Sequence, residues 1–121
     1  MNKKSATNLV TTCIFVHIMR IISVQTLRSY AKKKKEAEQP LLLWYDEACK
    51  AVWKNHNELK MQFGNASIIN SKRVVFNIHG NKYRLIVDIE YFLKIIFIVW
   101  VGTHANYDKI DAKTVVYDKA R

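Results

Sequence analysis

Gly80-Asn81 separates two segments, Arg73 to His79 and Lys82 to Tyr91, in which apolar and polar residues alternate apart from Val75 and Ile86. A Gly-Asn pair between two alternating runs fits a tight hairpin with a primed turn, because glycine adopts positive φ without steric cost. A turn centred there sets His79 opposite Lys82, Ile78 opposite Tyr83, Asn77 opposite Arg84 and Phe76 opposite Leu85. Strand side chains alternate, so one face carries Val74, Phe76, Ile78, Tyr83, Leu85, Val87 and Ile89. That surface has to be buried. The other face carries Asn77, His79, Lys82, Arg84 and Asp88, with Val75 and Ile86 between them. A polar, cationic face on a rigid sheet is where function is sought.

The chain has 121 residues, enough for one domain with a modest core. Half of it is hydrophobic and only four residues are Gly or Pro, which excludes a disordered or low-complexity description. Twenty Lys and Arg oppose ten acidic residues, a net charge of +10. Such a field attracts polyanions, nucleic acid first among them, although solubility or an acidic partner would also account for it. Cys13 and Cys49 lie far apart, and His17, His56, His79 and His104 contain no i, i+4 pair. No metal or cofactor is therefore expected, and the cysteine usage fits a reducing cytoplasm.

Lys3-Lys4 followed by the stretch Ser5 to Met19 has the outline of a signal peptide. Thr11, Thr12 and His17 interrupt its apolar part, no small-x-small cleavage site follows, and Arg20 stops the continuation. The run Ile95 to Val101 is much shorter than the ~20 residues of a membrane helix and reads as a buried strand. No membrane association is expected.

Met19 to Ser23 reads as a first strand, with Ser23 capping a helix from Val24 that exposes Lys32, Lys33, Lys34 and Lys35 at its C-terminus. Those lysines suit the helix macrodipole and equally suit phosphate binding. Pro40 is expected in the first turn of a second helix, whose stripe is Leu41, Tyr45, Ala48 and Val52, with Trp44 and Ala51 beside it. Asn55-His56-Asn57 breaks that helix, and Glu58 to Phe63 adds a short turn before Gly64-Asn65. The hairpin follows, then a long strand from about Leu93 to Val101. The layout is α+β, with helices packed on one face of an antiparallel sheet.

Asn77 to Val87, together with Gly102-Thr103-His104-Ala105-Asn106-Tyr107-Asp108-Lys109-Ile110-Asp111, closely resembles the HigB toxins of type II toxin–antitoxin systems, within the RelE-like superfamily. Met19 to Ser23 resembles the start of such a toxin. Ala37 to Leu42, Trp44-Tyr45 and Trp53-Lys54-Asn55 resemble its helical region. The likeness spans Met19 to about Asp111. It implies a RelE-like fold over residues 19–121, an antiparallel sheet packed on one face by two N-terminal helices. Residues 1–18 have no counterpart and are expected to be a dispensable extension.

The resemblance also implies a cytoplasmic toxin that cleaves messenger RNA without a metal, often on the ribosome, and arrests growth. A helix-turn-helix antitoxin of the HigA kind is the implied partner. Arg84 aligns with the sheet arginine of RelE-like toxins. His104 stands where they place an arginine or histidine at the end of the last long strand, and Tyr107 near an aromatic often kept at the C-terminal edge. Asn106 departs from the acidic residue frequent in relatives.

The implied chemistry needs two proton movements and a charge to steady the phosphoryl oxygens. Histidine titrates near neutrality and suits the first task. Arginine stays charged and matches phosphate geometry. Arg84, His104 and Tyr107 are accordingly the candidate catalytic residues. Asn77 is expected to orient the phosphate, Lys82 and Arg73 to hold flanking nucleotides, and Lys32 to Lys35 to grip phosphates. Each has a plainer reading: Arg84 as an ion-pair partner of Asp88, His104 as a turn residue, Tyr107 as core. A non-catalytic basic RNA- or DNA-binding domain is the alternative.

Overall fold

The computed structural model describes residues 18–117. Of the expected extension 1–18, all but Ile18 lies outside the described residues. Five strands form one sheet: β1 (Arg20–Ile22), β2 (Ser67–Ile68), β3 (Arg73–Ile78), β4 (Tyr83–Glu90) and β5 (Ile95–Thr103), in the order β1-β5-β4-β3-β2. Among the described residues four helices accompany it: α1 (Gln25–Lys33), α2 (Lys35–Cys49), α3 (His56–Gln62) and the single turn α4 (His104–Tyr107).

The hairpin register follows the alternation. Ile78 pairs with Tyr83, Asn77 with Arg84 and Phe76 with Leu85. Gly80 takes φ +65, and His79 joins it at φ +55. The apolar face of the hairpin is buried with Leu27 of α1, Leu41 and Trp44 of α2 and Leu59 of α3 in the main core. Phe76 anchors an aromatic cluster there, with Trp44, Phe63 and Trp53 all within ring contact.

Several expectations are corrected. The sheet is mixed rather than antiparallel, since β1 runs parallel to β5. The long connection between them, three helices and three strands, is what a parallel pairing requires. Ser23 does not cap α1: it turns the chain at φ +68, and Val24 precedes the helix with no side-chain cap. Helix α2 starts at Lys35, a turn before Pro40, because Ala37 is already fully buried in the core. Glu36 and Glu38 then fall in the first turn, where carboxylates suit the macrodipole. Pro40 removes one helical hydrogen bond near the start and is tolerated. The helix ends at Cys49, so Val52 is exposed rather than on the stripe. Asn55 does not end α2, which stops at Cys49; it begins α3, its side chain accepting from the Glu58 amide at 2.9 Å. Strand β2 has no clear signal in the sequence.

Strand β5 spans Ile95–Thr103 and carries a bulge: Ile86 pairs with Trp100 but Val87 with Ile98, leaving Val99 unmatched. The extra residue reverses the parity of the strand. Ile96 and Ile98 face the main core before it, and Val101 does so after it. Trp100 and Gly102 are thereby delivered to the opposite face.

Candidate functional site

On that opposite face the register lays out three rows. The upper row is Asn77, Arg84 and Gly102; the middle row is Val75, Ile86 and Trp100; the lower row is Arg73, Asp88 and Phe97. The chain after α4 folds back over the lower two rows. Tyr107, Ile110, Ala112 and Val115 pack on Val75, Ile86, Val99 and Trp100, and the Tyr117 ring meets Phe97 at 5.4 Å. The face is therefore largely covered, and its polar groups are exposed mainly in the upper row.

Arg73 belongs to the covered part. Its guanidinium clasps Asp88 through two bonds of 2.8 Å and donates to the carbonyls of Ala112, Lys113 and Val115. Only 8% of the residue is exposed. The expectation that Arg73 holds a flanking nucleotide is corrected: it fastens the C-terminal segment to the sheet. Asp88 is thus the partner of Arg73 and not of Arg84.

Arg84 stands two rows higher, half-buried on β4 between Asn77 and Gly102. It donates to the Asn81 side chain at 2.9 Å and to the Asn81 and Tyr83 carbonyls. Among the described residues it has no ion pair with a carboxylate. Its guanidinium carbon lies 5.7 Å from the Tyr107 ring centroid, within cation–π range. Tyr107 leans in turn on Trp100, ring centroids 6.2 Å apart. Gly102 makes this stack feasible, since a Cβ there would sit 2.4 Å from Cη2 of Trp100. Trp100 is core for this layer rather than an open stacking platform, with 7% of its surface exposed.

His104 opens α4 just past β5, and its amide donates to the Lys82 carbonyl at 2.9 Å, fixing it beside the hairpin loop. Thr103 caps the turn by accepting from the Asn106 amide at 3.1 Å. One turn later Asp108 places Oδ2 3.1 Å from Nδ1 of His104. The imidazole is nearly half exposed. A carboxylate on Nδ1 holds the proton there and leaves Nε2 as the nitrogen available for transfer.

Lys82 and His79 depart from the expected cationic face. Lys82 reaches across the tip to Glu36 of α2 at 3.9 Å, and His79 stacks on Tyr83, a core-side residue. The positive φ of His79 accounts for its change of side. Tyr83 donates to Glu36 at 2.7 Å. That hydrogen bond, reinforced by Lys82, holds the Glu36 carboxyl below its ordinary range. The same bond and burial push the Tyr83 phenol up to about 12. Glu36 therefore ties the start of α2, which follows the exposed Lys32 to Lys35 junction, to the hairpin tip.

The structure brings Arg84, Tyr107 and His104 to one end of the sheet, with Asn77 one strand away. It leaves Arg73 at the other end. Asn81, Asp108 and Glu36 are additions that sequence reasoning missed. Asp108 had a legible signal, the i, i+4 spacing from His104; Asn81 lies in the turn pair itself; Glu36 had none.

This arrangement belongs to a compact α+β domain with a cationic sheet end and a terminal His-containing turn. Residues 37–110 match the family model HigB_toxin, RelE-like toxic component of a toxin-antitoxin system. The chain belongs to that family, and is thus the toxin of a toxin–antitoxin pair, with an antitoxin as partner. A search of curated proteins finds no match. No helix among the described residues is long and apolar enough to cross a membrane.

Proposed function

We propose that this toxin is a cytoplasmic, metal-independent endoribonuclease that cleaves messenger RNA and so arrests growth. The observation that carries this reading is Arg84, an arginine with no carboxylate partner among the described residues, held 5.7 Å from the Tyr107 ring at the end of the sheet where Asp108 orients the imidazole of His104. In the reaction the ribose 2′-oxygen attacks the adjacent phosphorus, the bond to the 5′-oxygen breaks, and a 2′,3′-cyclic phosphate and a 5′-hydroxyl remain. Arg84 steadies the charge that accumulates on the phosphoryl oxygens. Nε2 of His104 takes the proton of the 2′-hydroxyl and gives it to the departing 5′-oxygen, while Asp108 on Nδ1 fixes the tautomer. Tyr107 keeps the guanidinium in place and offers its face or hydroxyl to the substrate. Asn77 orients the phosphate, and Lys82 with Lys32 to Lys35 draws the RNA backbone toward this end of the sheet.

The test is RNA cleavage by the purified protein, with and without ribosomes, and mapping of the ends. Fragments bearing 5′-hydroxyls, lost in Arg84→Ala and His104→Ala proteins, support the reading. Salt-sensitive RNA binding with intact RNA under both conditions would establish the rival instead, a basic domain without catalysis. The implied helix-turn-helix antitoxin is checked by co-expression of the neighbouring short reading frame, which should relieve growth arrest.

A further inference from the structure

The two arginines of the hairpin spend their donors alike except along one edge. A guanidinium carries N–H donors in a fixed fork, and two parallel bonds from one edge match two oxygens of an anion. Arg73 shows such an edge filled. Its Nε and Nη2 each donate to one oxygen of Asp88 at 2.8 Å, while Nη1 serves the carbonyls of Ala112, Lys113 and Val115. In Arg84 Nη1 again goes to carbonyls, that of Asn81 at 3.1 Å and that of Tyr83 at 3.3 Å. Nη2 donates once, to Oδ1 of Asn81 at 2.9 Å. Nε and the second N–H of Nη2 have no hydrogen-bond partner among the described residues. Tyr107 meets the guanidinium with its ring.

A strand does not aim an arginine by itself, because the long side chain keeps many rotamers. Asn81 supplies two of the three acceptors that fix this one. It sits on a tip held from several directions. His79 and Gly80 turn the chain at φ +55 and +65, the Lys82 amide donates to the His79 carbonyl at 3.3 Å, and the Lys82 carbonyl accepts from the His104 amide at 2.9 Å. An aspartate at position 81 would have the same shape and would also hold the guanidinium. It would bring with it the negative charge that neutralises Arg73. An amide oxygen aims the arginine and leaves its charge uncompensated.

We infer that Asn81 is the positioning residue of Arg84: it keeps the Nε–Nη2 edge clear for two non-bridging oxygens of the RNA phosphodiester. The Asp88 carboxylate on the same edge of Arg73 is the internal likeness of that anion. This rests on the ribonuclease reading above.

Asn81 is exposed and is not among the residues of positive φ, so the turn survives its replacement. Asn81→Ala should lower the single-turnover cleavage rate about tenfold, the scale of one charged hydrogen bond lost. Asn81→Asp should lose more than alanine although it is nearer in shape, and its thermal unfolding temperature should not fall. In an Arg84→Ala background, Asn81→Ala should cost nothing further, because the residue acts through the arginine. A purely structural role predicts the opposite: aspartate milder than alanine, and an added loss in both backgrounds. A second measurement does not depend on cleavage. A short 2′-O-methyl RNA, which lacks the attacking hydroxyl, is titrated into the protein while the Arg84 Nε–H is followed by nuclear magnetic resonance. That signal should shift in the wild type and stay in place in Asn81→Asp. Wild-type cleavage by both Asn81 variants, with the same Nε–H shift in all three proteins, would overturn the assignment and leave the ribonuclease reading standing. A shift that Asn81→Asp abolishes, in a protein that never cuts RNA, would keep the assignment and sink the enzymatic reading.

Discussion

Arg73 and Arg84 lie on the same face of the same hairpin and differ in everything that matters. Arg73 is nine-tenths buried, paired bidentately with Asp88 and bonded to three carbonyls of the C-terminal segment. Arg84 is half-buried and, among the described residues, bonds neutral oxygens and lies over an aromatic ring. One arginine has its charge neutralised inside the fold. The other has no opposite charge against it among the described residues.

The histidines repeat the contrast. His56 uses both ring nitrogens, Nε2 donating to the Asn70 carbonyl at 2.9 Å and Nδ1 facing the Tyr91 hydroxyl at 2.6 Å. Burial pushes that Tyr91 phenol up to about 12, so it stays neutral and available as a partner. His104 has one nitrogen held by Asp108 and presents the other. What marks a site here is a group that the fold positions but does not saturate.

That contrast can be broken by exchanging the losses. Arg84→Ala and His104→Ala should each reduce RNA cleavage by about 10²–10⁴-fold while leaving thermal unfolding near the wild-type value. Single-turnover kinetics separate binding from chemistry for Arg84. Arg73→Ala should do the reverse in kind. Removing one partner of a buried pair costs about 3–5 kcal/mol, and the lower end applies because Asp88 is one-third exposed. Urea unfolding would measure it; a fully stable Arg73→Ala protein would erase the distinction between the two arginines.

A smaller effect is expected from Asp108→Asn. Both groups of this pair are partly exposed, so its loss should cost about tenfold in cleavage rate, or ~1.4 kcal/mol, with unchanged RNA affinity. Nitrogen-15 shifts of His104 should show the Nδ1–H tautomer weakened; an unaltered ring would make Asp108 a bystander. Neutralising Lys32 to Lys35 should leave cleavage chemistry alone and lower the salt slope of RNA binding by ~0.7 for each lysine that contacts a phosphate. An identical slope would leave the run as a solvated helix junction.

The smallest effect concerns the Glu36–Tyr83 tie. The Glu36 carboxyl is held low, so the stability it adds is present above its ordinary value of 4.5 and is lost as pH falls below it. The phenol is raised, so its contribution is present below pH 10 and disappears as pH climbs from 10 toward about 12. Glu36→Gln should remove the acid limb of this dependence. A Tyr83 absorbance transition at pH 10 in the wild type would show that the tie is not made in solution.

Much of this was legible in the residues alone. The alternation around Gly80-Asn81 determined the hairpin, its register and its buried face, because side-chain period and turn chemistry are local and agree with each other. The THANYDK segment and the hairpin carried the family, and they placed Arg84, His104 and Tyr107 on the short list. Only tertiary structure could decide which polar groups stay open. The bulge at Val99, the return of residues 107–117 across the sheet and the left-handed turn at His79 each depend on packing between segments distant in sequence. They placed Arg73 within the fold, turned Lys82 toward Glu36 and His79 toward Tyr83, and left Arg84 without a carboxylate among the described residues. A strand pattern states which side of a sheet a residue faces; what else comes to cover that side is settled by the rest of the chain.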